Sequence, residues 1–240
     1  MPLLAFAAFA LLAPPQSGEA VLRSVFEHYG KMRKFEANIS KAARDRRGET
    51  MGPTISLLLS YDSKQRFRVE QSEYWGSGNT FTSDGKTLRV VSADGGPTTL
   101  RNAGPSLMQS HPMLAPRGGA FAILFLLLEG PSAYDKLVAP DGSVKMNGRR
   151  IDFKSKDYGS MSMTLDGKLI TDIQFDNKPN RDANYRFLPM FSEKPEDPME
   201  VEAITYEFVS KFAKNKFDTS VGKGEFVVDE RKKPPHTPQN

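Results

Sequence analysis

The sequence predicts a mainly β fold of the α+β class: a meandering antiparallel sheet, a barrel or a half-barrel, with an N-terminal helix and a helical insertion in mid-sheet. Three observations carry this. Several stretches alternate apolar and polar residues with period two. Neighbouring stretches are joined by tight turns, Asp84-Gly85-Lys86 and Asp166-Gly167-Lys168. One run, Ala120–Leu128, is apolar without a break, yet falls short of the roughly 20 residues needed to cross a bilayer.

The elements follow in order. Pro2–Ala13 reads as the apolar core of a secretory signal peptide without its basic start, favoured over a weak membrane anchor because the run is too short to span a bilayer, so residues 1–18 are set apart from the fold and cleavage near Ala13 or Ala20 is expected. From Glu19 to Lys34 the spacing of Val21, Leu22, Val25, Phe26, Tyr29 and Met32 predicts a helix, with Ser17 as its N-cap and Glu19 at the positive end of its dipole. At Phe35 the period drops to two: Phe35, Ala37 and Ile39 share one face of a strand. Arg44–Glu49 reads as a charged hairpin end. Further strands are expected at Ile55–Tyr61, Arg66–Glu70, Asn79–Ser83 and Thr87–Ser92.

Asn102–Pro116 carries three prolines and reads as a loop or short helix pieces, not a strand, leading into the apolar run. As a helix that run is apolar all round, so it must be covered on more than one side. Gly118-Gly119 before it and Gly130-Pro131 after it permit sharp turns, and Ala133–Leu137 continues the helical part. Strands resume at Ile151–Lys154, Ser160–Leu165 and Leu169–Asp176. Asn177–Pro198 is an irregular connection, Ile204, Tyr206, Phe208 and Phe212 alternate along a late strand, and Phe226–Val228 closes the domain. The count is roughly nine or ten strands in one domain, residues 19–228, with a disordered charged tail at 229–240.

Composition excludes several chemistries. The chain has no cysteine, hence no disulfide, no thiolate ligand and no thiol nucleophile. Its three histidines lack metal-ligand spacing, so neither metal nor cofactor is expected. The aspartates at 62, 84, 94, 141 and 166 sit in turns, and no nucleophile elbow or acid pair stands out, so catalysis is not expected. The net charge of +4 favours anionic surfaces, lipid head groups among them. The Arg44–Arg47 cluster lacks interleaved aromatics, so nucleic acid is not expected as a partner.

The order of helix, meander, Thr82-Ser83-Asp84-Gly85-Lys86-Thr87-Leu88, proline-rich apolar helices and a second meander with Leu165-Asp166-Gly167-Lys168-Leu169-Ile170 resembles the periplasmic outer-membrane lipoprotein carriers and their lipoprotein-sorting relatives, the LolA-like family. The ending Lys216-Phe217-Asp218 and Gly224–Val228 is similar to that family's closing strand. The resemblance implies a curved, incomplete barrel whose concave face is capped by helices. It also implies a soluble, monomeric periplasmic carrier that holds acyl chains of lipoproteins or other lipids and helps deliver them to the outer membrane, between a membrane-protein donor and acceptor. The alternative is a sensing or regulatory module on the same scaffold. The arginine that locks the family's lid has no counterpart at Tyr61–Lys64.

The candidate cavity wall is then Leu57, Leu59, Phe67, Val69, Phe81, Leu88, Val90, Met161, Met163, Leu165, Ile173 and Phe175. The candidate lid is Met113, Leu114, Phe121, Leu124, Phe125 and Leu128. Methionines suit a surface that must adapt to varied chains. Each of these residues also suits a plain hydrophobic core.

Overall fold

The structure, a computed structural model, describes residues 17–45, 47–72, 78–107, 122–176 and 199–231. Helix α1 runs from Gly18 to Lys31, and Ser17 caps it by accepting a hydrogen bond from the Ala20 amide at 3.2 Å. Ser17 and Gly18 therefore belong to the fold rather than to the excluded N-terminal segment. The helix ends three residues earlier than the spacing predicts because Met32 turns extended and Lys34 takes a positive φ of 54°, reversing the chain into the sheet.

The strands are β1 (Phe35–Arg44), β2 (Thr50–Tyr61), β3 (Arg66–Ser72), β4 (Asn79–Asp84), β5 (Thr87–Ser92), β6 (Thr98–Asn102), β7 (Lys145–Asn147), β8 (Arg150–Ser155), β9 (Gly159–Asp166), β10 (Leu169–Phe175), β11 (Met199–Phe208) and β12 (Val227–Asp229). Between β6 and β7 lie α2 (Ala122–Leu128), a 3-10 turn (Pro131–Ala133) and α3 (Tyr134–Leu137). The turn chemistry is as the sequence predicts at β4–β5. The Asp84 carboxylate accepts from the Lys86 and Thr87 amides at 2.7 and 2.8 Å, and Gly85 takes the positive φ of 99° that a side chain would resist.

All twelve strands form one sheet in the order β12-β6-β5-β4-β3-β2-β1-β11-β10-β9-β8-β7. Every pairing is antiparallel except β12 with β6. The sheet is not closed: β12 and β7 are its two edges, which makes it an open half-barrel. Its centre is the long ladder between β1 and β11, where Phe35 pairs with Phe208 and Arg44 with Met199. The chain thus winds outward from β1 to β6, crosses to the opposite edge at β7, and winds back to β11. The connection 103–144, which carries α2 and α3, has to span the two wings of the sheet.

Three expectations need correction. Among the described residues the strands number twelve, not nine or ten, because β6 and β7, of five and three residues, are too short to show an alternating run. The ordered part does not stop at Val228. Asp229 belongs to β12, the Glu230 amide donates to the Leu100 carbonyl at 2.8 Å, and Glu230 pairs with Arg101 at 2.7 Å. Phe212 does not continue β11, which ends at Phe208; it packs edge-on against Phe217 with ring centroids 5.0 Å apart.

Candidate ligand-binding face

Register places the predicted wall residues on one face. Across the first wing, Ala37 pairs with Leu59, Leu59 with Val69, Val69 with Phe81 and Phe81 with Val90. A parallel row joins Phe208, Phe35, Tyr61, Phe67, Ser83 and Leu88. On the second wing Ile173 faces Met163, which faces Ile151, while Phe175 faces Met161, which faces Phe153. Leu165 stands opposite Ile170, and Leu57 opposite Ile39. All of the named wall residues are buried except Val90, which is half-buried.

Of the predicted lid, Leu124, Phe125 and Leu128 lie on α2, and every residue from Ile123 to Leu128 is at most 5% exposed. A helix apolar all round is accordingly covered all round. Met113, Leu114 and Phe121 lie outside the described residues. Wall, α2 and the inner face of α1 form one contiguous core. As described, the cover therefore packs into the wall.

Four contacts hold this helical layer down. Gly30 of α1 and Gly130 meet backbone to backbone: a Cβ on Gly30 would lie 2.8 Å from the Gly130 Cα, and Gly130 itself has a φ of 81°. The Lys64 ammonium, from the β2–β3 turn, donates to the Glu129 carbonyl just past α2 at 3.0 Å. Phe26 meets Tyr134 edge-on at 5.5 Å, and the Arg23 guanidinium stacks 3.8 Å above the same ring.

The wall is not purely apolar. The Tyr29 hydroxyl accepts from the Ile170 amide at 2.8 Å, and it shares a 2.6 Å hydrogen bond with the Tyr206 hydroxyl. An irregularity in the β9–β10 ladder lies beside this amide, between Ile170 and Asp172. Burial pushes the Tyr29 hydroxyl up to about 12, and its two hydrogen bonds pull the other way. Burial raises Tyr206 further, with the Tyr29 hydroxyl and the Glu202 charge adding to it. The Tyr61 hydroxyl is buried with no hydrogen-bond partner among the described residues, and desolvation raises its pKa strongly.

Glu202 is the residue the sequence reading missed. It is fully buried, opposite Lys41 on β1 and Ile173 on β10. The signal was available, because Glu202 stands two residues before Ile204 and four before Tyr206, on the face those residues define.

Among the described residues no three acids or histidines converge as metal ligands would. One cleft of about 350 Å³ is lined by Arg150, Asp152, Lys154, Ser160 and Ser162 together with Phe153 and Met161, at the β8–β9 end of the sheet. A second, of about 360 Å³, lies among Glu19, Arg23, Tyr134, Asp135 and Lys156 beside α1.

No protein-family model matches the chain, and no curated protein matches it. Among solved structures the chain is similar to the crystal structure of a LolA superfamily protein from Nitrosomonas europaea. The sequence identity is 8% and the TM-score 0.37, over 85% of this chain and 98% of that one. The fold class given above rests on the strand register itself.

Proposed function

We propose that the protein is a carrier of acyl chains, taking up lipoprotein lipids or other lipids between the apolar wall and the helical layer. The observation that carries the reading is topological. The 103–144 connection has to run from β6, one strand in from an edge of the open sheet, to β7 at the opposite edge, and it brings a wholly apolar helix into the core against the wall.

Energetics fit reversible loading. Six buried apolar side chains on α2 at about 2 kcal/mol each contribute roughly 12 kcal/mol. An acyl chain of about fifteen methylenes at about 0.8 kcal/mol each contributes a similar amount. Exchanging one for the other is close to balanced, which suits pick-up followed by release. In this reading the protein acts without catalysis or cofactor, as a periplasmic monomer. It receives cargo from one membrane protein and passes it to another at the outer membrane, with no nucleic-acid partner.

The test is direct. The protein is purified without detergent and extracted with organic solvent, and the extract is examined for lipid; uptake of a fluorescent fatty acid is measured in parallel. Co-purifying lipid or saturable uptake is expected. A protein that comes out empty and does not bind the probe is not a carrier of acyl chains.

A further inference from the structure

We propose that the rim where α1 passes into β1 is a docking surface for anionic lipid membranes, with Phe208 as its apolar wedge. Phe208 ends β11 and is 57% exposed, although its register places it on the inner face, with its ring 6.3 Å from that of buried Phe35. The apolar lining therefore reaches the surface here. Cations surround it. The Val209 amide donates to the Lys34 carbonyl at 3.0 Å and the Lys34 ammonium reaches the Ser210 carbonyl at 3.4 Å, so residues 33–34 and 209–211 form one patch.

Among the described residues the charges of this patch are not consumed internally. Arg33 and Lys34 are exposed and, among those residues, hydrogen-bond only to backbone carbonyls. Lys211 and Lys214 are exposed and make no ion pair among the described residues. The acids nearby are largely answered: Glu36 by Lys216 at 2.8 Å, and Asp62 by Arg66 at 3.2 Å. Glu207 and Glu129 remain. The 208–217 segment, Phe208-Val209-Ser210-Lys211-Phe212-Ala213-Lys214-Asn215-Lys216-Phe217, interleaves cations with aromatics. Phe217 is buried and anchors the segment, with Phe212 edge-on against it and the Arg66 guanidinium 4.9 Å from its ring. Exposed cations around an exposed aromatic match an anionic head-group layer over an apolar interior, charge to charge and ring to acyl boundary. This inference does not depend on the cargo reading, since it uses the exposed end of the inner face and the cations around it, and not the part that α2 covers.

The experiment is vesicle flotation with the full chain, comparing pure phosphatidylcholine vesicles with vesicles doped with phosphatidylglycerol. Binding is expected to the anionic vesicles alone and to weaken as salt is raised. Each cation near an anionic surface strengthens binding about fivefold, so K211Q/K214Q is expected to lose roughly 25-fold. F208S is expected to weaken binding while keeping the preference for anionic lipid. Circular dichroism of each variant confirms that it is folded; these side chains are on the surface. Binding to neither kind of vesicle, equal binding to neutral and anionic vesicles, or unchanged binding by K211Q/K214Q overturns the proposal. Retention on a soluble polyanion such as heparin without vesicle binding overturns it in favour of a nucleic-acid-like partner. The fatty-acid uptake assay uses no vesicles, so its outcome and this one are read separately.

Discussion

Substituting Gly30 by alanine tests how the helical layer is held. The new Cβ would sit 2.8 Å from the Gly130 Cα and 3.5 Å from the Pro131 ring. The first distance is closer than carbon atoms pack, and the obstacle is backbone, so α1 and the Gly130–Pro131 turn must separate. Overpacking of this kind costs about 1–3 kcal/mol. Against it stands helix propensity: alanine is better than glycine by at most about 1 kcal/mol in a helix interior, and by less at position 30, one residue from the helix end. The net expectation is a loss of about 1–2 kcal/mol, read as a lower denaturant midpoint with an unchanged slope. The same separation loosens the end of α2, so fatty-acid uptake is expected to become faster. A variant more stable than the parent by about 1 kcal/mol would show that propensity alone is at work and would refute the close contact.

Three further outcomes are expected. Leu124→Ala removes a fully buried side chain of α2 and is expected to cost about 2–5 kcal/mol in denaturant unfolding; a change under about 1 kcal/mol would mean that α2 is not packed into the core. Tyr61→Phe deletes a buried, unpartnered hydroxyl and is expected to raise Tm by a few degrees at most; clear destabilisation would reveal a partner for that hydroxyl. Tyr29 is raised from 10.0 to about 12, so its contribution to stability is complete below pH 10 and is lost as pH climbs from 10 toward 12, because the unfolded chain ionises first. Unfolding measured across that window should show the loss, on the order of 2 kcal/mol from this group, and Tyr29→Phe should make it shallower, with the buried Tyr206 and Tyr61 hydroxyls supplying what remains.

Much of the local structure could be read from residue order. The α1 cap, the Asp84-Gly85 turn and the alternation of Phe35, Ala37 and Ile39 each depend on neighbours a few positions away, and they lie where the sequence puts them. The same holds for the wall: the alternating positions share one face, because the pleat makes that unavoidable. Glu202 was missed because its neighbours are apolar and a carboxylate breaks the pattern that defines the face.

Sequence alone determined the class of the fold, the burial of α2 and the face on which the wall lies. These follow from local periodicity and from the cost of leaving apolar surface in water. Only the tertiary structure decided that β1 pairs with β11, that β12 joins β6 in parallel, and that the helical connection therefore spans the two wings. Those pairings join residues more than 120 positions apart. Each strand carries hydrogen-bonding groups on both edges and no local mark of its partner, so the choice is made by the packing of the whole sheet around one core.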